Sequence, residues 1–122
     1  MAELIVLSGY SGSGKSTLAA SLSRSGTYAV IHSDDYYHCY NPGTDVTALL
    51  ISIASEFGRH NISVIVDAVN KHPNDRERWD RASHIFDSYR WLCVATPLDE
   101  CIRRDAQRET PVGAAAIRAQ AQ

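Results

Sequence analysis

The chain has 122 residues, 44% hydrophobic and 21% charged, with a formal net charge of -2. That is the length of one domain, residues 1–122, with a globular composition. The near-neutral balance argues against broad nonspecific nucleic-acid binding, which draws on many Lys and Arg contacts to phosphate.

Cys39, Cys93 and Cys101 lack C-x-x-C spacing, and the five histidines are scattered singly. Neither set forms a zinc signature or a disulfide framework. Reduced thiols suit a cytoplasmic protein, and no apolar run reaches the length of a membrane span.

Leu4-Ile5-Val6-Leu7, ending in Ser8-Gly9, reads as a strand buried on both faces. A Gly/Ser loop follows, then a helix from Lys15 to about Ser23. Tyr28 to His32 reads as the second strand and leads into the acidic, Tyr-rich segment Ser33 to Tyr40. Asn41-Pro42-Gly43 is a turn signal. A second helix is expected from Asp45 to Phe57, stopping at Gly58, with Leu49, Leu50, Ile53 and Phe57 on its apolar face. Ser63 to Val66 is a third strand ending at Asp67.

A third helix is expected from about Asp75 to Tyr89. Asn74 is its N-cap, Glu77 completes a capping box, and Trp79, Ala82, Phe86 and Tyr89 form its core stripe. Arg76/Asp80 and Glu77/Arg81 then pair along a solvated face. Trp91 to Ala95 is the fourth strand. Thr96 caps a helix starting at Pro97, and Thr110-Pro111 repeats that signal before an Ala-rich helical tail. Alternating strands and helices predict an α/β fold, a parallel sheet of about four strands with helices on both faces.

Gly9-Tyr10-Ser11-Gly12-Ser13-Gly14-Lys15-Ser16 fits G-x-x-x-x-G-K-[ST] at every fixed position and lies between a strand and a helix. Such a loop turns consecutive N–H groups, and the positive end of the following helix, toward phosphate oxygens. Gly9 through Thr17 are therefore candidate nucleoside-triphosphate contacts. Lys15, expected to face solvent, reaches the β- and γ-phosphates, and the Ser16 hydroxyl ligates Mg²⁺.

Past the second strand, Asp34 or Asp35 can accept the proton of an attacking hydroxyl. The alternative is a solvated acidic loop, and the adjacency leaves room for one of the pair to face the acceptor. Asp67 ends a Walker-B-like strand and is a candidate Mg²⁺ partner, or an ordinary strand terminus. Asn70 is placed to touch the acceptor. Arg103, Arg104 and Arg108 close the helix after the fourth strand. Arg104 and Arg108 share one face, as a phosphate clamp or as a solvated surface. Tyr36, Tyr37 and Tyr40 can stack on an acceptor base or pack on the second helix.

These segments resemble the P-loop kinase group that contains the bacteriophage and eukaryotic polynucleotide 5′-kinases, over nearly the whole chain. The matching stretches are Gly9 to Thr17, His32-Ser33-Asp34-Asp35-Tyr36, Val66 to Asn70 with Asn74 to Arg78, and Thr96 to Arg104 with Arg108 to Val112. The resemblance implies strand order 2-3-1-4, with Asp34 as general base and Arg104 and Arg108 as lid contacts to ATP. It implies ATP and Mg²⁺ as cofactors, and a nucleic-acid hydroxyl as acceptor: a 5′-OH end or a hydroxymethylated base, as in bacteriophage DNA modification.

Tyr37 stands where the phage enzymes carry an acceptor-side Arg, and Asp67-Ala68-Val69 is closer to adenylylsulfate kinases. Members carry a fifth strand beside the nucleotide base, and this sequence stops soon after the lid. Weak discrimination among triphosphates is therefore expected. A small-molecule kinase acting on a nucleoside, nucleotide or related metabolite is the alternative. A third reading is an ATPase or switch without an acceptor, which needs no base such as Asp34. The sequence leaves oligomeric state open.

Overall fold

The computed structural model describes residues 2–39, 41, 43–70, 73–108 and 111–121, with side chains for all of these except 37–39. Four strands form one parallel sheet: β1 (Glu3–Ser8), β2 (Tyr28–His32), β3 (Ser63–Asp67) and β4 (Ser88–Cys93). Their order is β2-β3-β1-β4, as the resemblance implies. Central placement explains the apolar runs. Leu4 to Leu7 of β1 and Val64 to Val66 of β3 are fully buried, and strands covered on both faces read as continuous rather than alternating hydrophobics.

The helices are α1 (Lys15–Ser23), α2 (Val46–Arg59), α3 (Pro73–Ala82), α4 (Leu98–Ala106) and α5 (Ala114–Gln120). Successive side chains of a strand point to opposite faces. Ile5, Leu7 and Ile65 meet Leu18, Ala19 and Leu22 of α1. Leu4, Val6, Val64 and Val66 meet Leu50 and Ala54 of α2 and Trp79 of α3. The segment Ser33–Cys39 after β2 is a 3₁₀ helix.

Several local expectations are corrected. Helix α2 does not stop at Gly58. It runs on to Arg59, and Gly58 is buried within it. A Cβ there would lie 2.8 Å from Phe86 Cζ, so this glycine permits close packing. The left-handed residue past the helix is Asn61, φ 59°. The buried face turns on Leu50 and Ala54, leaving Leu49 exposed. Asp45 caps α2 by accepting from Ala48 N at 3.1 Å. Both its oxygens also accept from Arg78, which holds its carboxyl below the usual range.

Helix α3 ends at Ala82, not Tyr89, and β4 starts at Ser88 rather than Trp91. The chain turns through Ser83–Ile85. Asp87 then accepts from Ala2 N at 2.9 Å through its carboxylate and donates its own N–H to Ala2 O, which sets β4 beside β1. The spacing misled because Phe86 and Tyr89 join Trp79 in one core although they lie beyond the helix. Asn74 lies inside α3 and is not its cap. Of the expected charge pairs Glu77/Arg81 forms, whereas Arg76 sits 5.5 Å over the Trp91 ring and Asp80 accepts from Tyr89 Oη. Helix α4 begins at Leu98 without a side-chain cap, and α5 begins after Gly113. Tyr40 and Thr110 lie outside the described residues.

Candidate active site

Strand β1 delivers the glycine loop to the C-terminal edge of the sheet. Gly9 N donates to Val69 O at 3.1 Å, and Val94 N donates to Ser8 O at 2.7 Å, so the loop is tied to the strand ends on either side. Thr96, expected to cap a helix, instead donates from Oγ1 to Ser13 O at 2.6 Å. Gly12 and Gly14 have φ of 81° and 101°, the left-handed region open to glycine. A Cβ on Gly12 would land on the Cys101 carbonyl oxygen of α4. The loop thus rests on the helix that carries Arg103 and Arg104; Arg108 lies past the end of that helix at Ala106 and so does not share a helical face with Arg104, as the spacing predicts it would.

A cavity of about 470 Å³ opens over this loop. It brings together Lys15, Ser16, Asp34, Asp67, Arg104 and Arg108, with Ser11, Gly12, Gly14 and Thr17 also in its wall. Gly9, Tyr10 and Ser13 shape the loop instead, since the Tyr10 and Ser13 carbonyls accept from Lys15, Thr96 and Arg104.

Lys15 is not solvent-facing. It is 7% exposed, with Nζ donating to Tyr10 O at 2.9 Å. Burial pushes its pKa down, and the nearby Asp67 and Asp34 charges oppose the shift. Ser16 Oγ donates to Asp67 Oδ2 at 2.6 Å, and His32 Nδ1 lies 2.8 Å from the same oxygen. The sequence reading gave His32 no role. Its position on the neighbouring strand, opposite Asp67 in the β2–β3 register, puts it there.

Asp34 lies in the first turn of the 3₁₀ helix, and its Oδ2 accepts from Arg108 at 3.2 Å. Asp35 is exposed and lines neither this cavity nor its neighbour. Tyr36 packs against the core beside α2, and the Tyr37 side chain lies outside the described residues. Asn70, φ 46°, donates from Nδ2 to Leu7 O and accepts from Trp79 Nε1, so its amide joins β1 to α3.

Arg104 is held by Glu100, which also pairs with Arg103; these two guanidinium groups lower the Glu100 carboxyl to about 2. Arg104 also donates to Ser13 O at 3.4 Å.

Two further residues organise the site and were missed. Asp105 is 1% exposed; it accepts from Val112 N and Gly113 N at 2.9 and 2.8 Å and from Arg108 at 3.4 Å. It thus ties Arg108, just past α4, to Val112 and Gly113, just before α5. A carboxylate four residues after Cys101, on the buried face of α4, was the available signal. Asp105→Ala is expected to cost about 1–3 kcal/mol in urea unfolding by orphaning those N–H groups. An unchanged midpoint would show that they find other partners. Gln120 of α5 clips the loop from the other side: Ser11 N donates to its Oε1 at 3.1 Å, and its Nε2 donates to Ser11 Oγ at 3.0 Å.

A second cavity, of about 270 Å³, adjoins the first and shares Ser11, Ser33, Asp34 and Val69 with it. Its remaining wall comes from α2 (Val46, Thr47, Leu50), the β3 exit (Ala68, Asn70) and α5 with the residue before Gly113 (Val112, Ala116, Gln120).

A sequence family described as an AAA domain matches residues 4–122. No curated protein matches in sequence. Among solved structures, a chain of the Pnkp1/Rnl/Hen1 RNA repair complex superposes with a TM-score of 0.77 at 20% identity, over 98% of this chain and 42% of that one. A second structure of that complex is covered over 38% of its chain, so this protein spans under half the length of the repair chains it resembles. A gluconokinase from Sinorhizobium meliloti matches at a TM-score of 0.71 and 16% identity, over 98% of this chain and 73% of that chain. The Mycobacterium tuberculosis APS kinase CysC, in complex with AMPPNP and APS, matches at 0.69 and 22%, over 87% and 69%. At these identities the likeness carries the fold, which is that of P-loop kinases. Among the described residues no helix is long and apolar enough to cross a membrane.

Proposed function

The chain belongs to the AAA domain family, and from its kinase-type fold and the charges at its site we propose that it transfers the γ-phosphoryl group of a nucleoside triphosphate to a hydroxyl. The observation that carries this reading is the convergence of Lys15, Arg104 and Arg108 with Ser16, Asp67 and Asp34 on one cavity. Phosphoryl transfer needs little covalent chemistry from the protein. It needs positioning, and positive charge where the transferring group and leaving oxygen develop negative charge.

Lys15, Arg104, Arg108 and the N–H groups from Gly12 to Thr17 hold the phosphates. The Ser16 hydroxyl and Asp67 carboxylate form the hard-oxygen pair that Mg²⁺ favours, and they are the residues that would hold it. Bound there, Mg²⁺ neutralises phosphate charge. Asp34 takes the acceptor proton as the acceptor oxygen bonds to the γ-phosphorus and the bond to the β–γ bridging oxygen breaks, releasing the nucleoside diphosphate. Arg108, paired with Asp34 here, has the reach to exchange that carboxylate for the incoming phosphates and so leave the base free.

Two acceptor classes follow from the likenesses. The motif resemblance and the RNA repair chains support a nucleic-acid hydroxyl, a 5′-OH end or a hydroxymethylated base. The gluconokinase and APS kinase, sharing the same fold, support a small molecule. The test is transfer from γ-labelled ATP to 5′-OH oligonucleotides, hydroxymethylpyrimidine DNA, nucleosides and sugars. Label is expected in an acceptor with Mg²⁺ and in none with EDTA. Label released only as inorganic phosphate would favour an ATPase or switch instead.

A further inference from the structure

We infer that the acceptor is a compact, unphosphorylated alcohol of nucleoside or sugar size, held in the 270 Å³ cavity between α2 and α5. This rests on the phosphotransfer reading and names the substrate class of the same site.

Charge is sorted between the two adjoining cavities. Lys15, Arg104 and Arg108 all line the larger one. Among the described residues lining the smaller one, Asp34 is the one charged side chain. Arg108, the partner of Asp34, lies on the wall of the larger cavity, so a phosphate placed in the smaller one meets a carboxylate and no cation among the described lining residues, the like-charge contact by which a site rejects a wrong partner. A polynucleotide groove is built the other way, with cations along the backbone path.

The walls point the same way. Val46, Leu50, Ala68, Val69, Val112 and Ala116 are apolar, and a few polar groups converge among them, the composition of small-molecule sites. The volume lies just under the roughly 300–1,000 Å³ that takes drug-sized ligands. Tyr36, two residues past Asp34, packs against the core and does not line the smaller cavity.

The geometry also places the reacting group. Asp34 lines both cavities, so an alcohol in the smaller one lies against the base on the side facing the phosphates. Helix α5 forms one wall of this cavity, and the Gln120–Ser11 bonds fix it to the glycine loop.

Ala116 gives a handle, because a larger side chain there fills the cavity from a partly exposed helix position. Ala115, exposed and outside the lining, is the control. The experiment measures kcat/KM for adenosine, thymidine, glucose and a short 5′-OH oligodeoxynucleotide at low and high salt. It uses wild type, Ala116→Phe, Ala116→Leu as a milder filling variant, and Ala115→Phe, with MgATP affinity followed by calorimetry in each.

Expected is transfer to a nucleoside or sugar at a rate indifferent to salt. Ala116→Phe, or Ala116→Leu if the former does not fold, should raise acceptor KM about tenfold or more with MgATP affinity unchanged. Ala115→Phe should behave as wild type. A preferred oligonucleotide whose rate falls steeply with salt, or an unchanged acceptor KM in the folded Ala116 variants, overturns the inference and leaves phosphotransfer standing. Transfer to none of the four probes, with MgATP bound, overturns both.

Discussion

Asp34→Asn is expected to slow phosphoryl transfer by at least about a hundredfold, the usual contribution of a positioned general base, while Asp35→Asn stays close to wild type. Their environments separate the two neighbours. Both are exposed, but Asp34 lines both cavities and faces Arg108 at 3.2 Å, whereas Asp35 lines neither. Asparagine keeps the shape and removes the basicity, so the loss should fall on kcat. ATP affinity should hold or improve, because Arg108 no longer has a carboxylate competing with phosphate. Equal losses in the two variants, or a collapse of ATP binding in Asp34→Asn, would move Asp34 from proton transfer to metal binding or structure.

Lys15→Met should cost at least about a hundredfold in kcat, the scale of one preorganised electrostatic contact to developing charge. Methionine retains the buried stem and drops the ammonium. The ammonium is nearly enclosed, its pKa is pushed down by that burial, and it donates to Tyr10 O within the loop. A desolvated cation contributes little to folding unless well paired, so thermal stability should hold. Thermal unfolding and steady-state kinetics on one preparation separate the two effects. Full activity in the folded variant would remove the charge from the mechanism.

What the sequence revealed, and what it hid, divides by the range of the interactions. The first strand, glycine loop and first helix were readable because each signal is local: an apolar run, glycines at fixed spacing, a helix opening on Lys15. Asp34, Asp67, Arg104 and Arg108 followed because a parallel sheet sends its strand exits to one edge, and all four line the cavity there.

Boundaries failed where tertiary packing overrode periodicity. Phe86 and Tyr89 continue the helical spacing of Trp79 but lie beyond the helix, since Ala2 and Asp87 pair to start β4. Gly58 looked like a stop and instead lets Phe86 approach α2. His32 and Gln120 were hidden for another reason. Both have partners on distant elements, Gln120 being 109 positions from Ser11, whereas Asp105 bonds residues three to eight positions on and was marked by its place four residues after Cys101 on the buried face of α4.

The most direct test of phosphotransfer is ADP formation measured with and without acceptor, alongside the fate of the γ-phosphoryl label in the same reaction. ADP should form rapidly only when an acceptor is present, with label appearing in the acceptor in step with ADP, and both should fall together in Asp34→Asn. ADP formation that ignores the acceptor and releases all label as inorganic phosphate would contradict it.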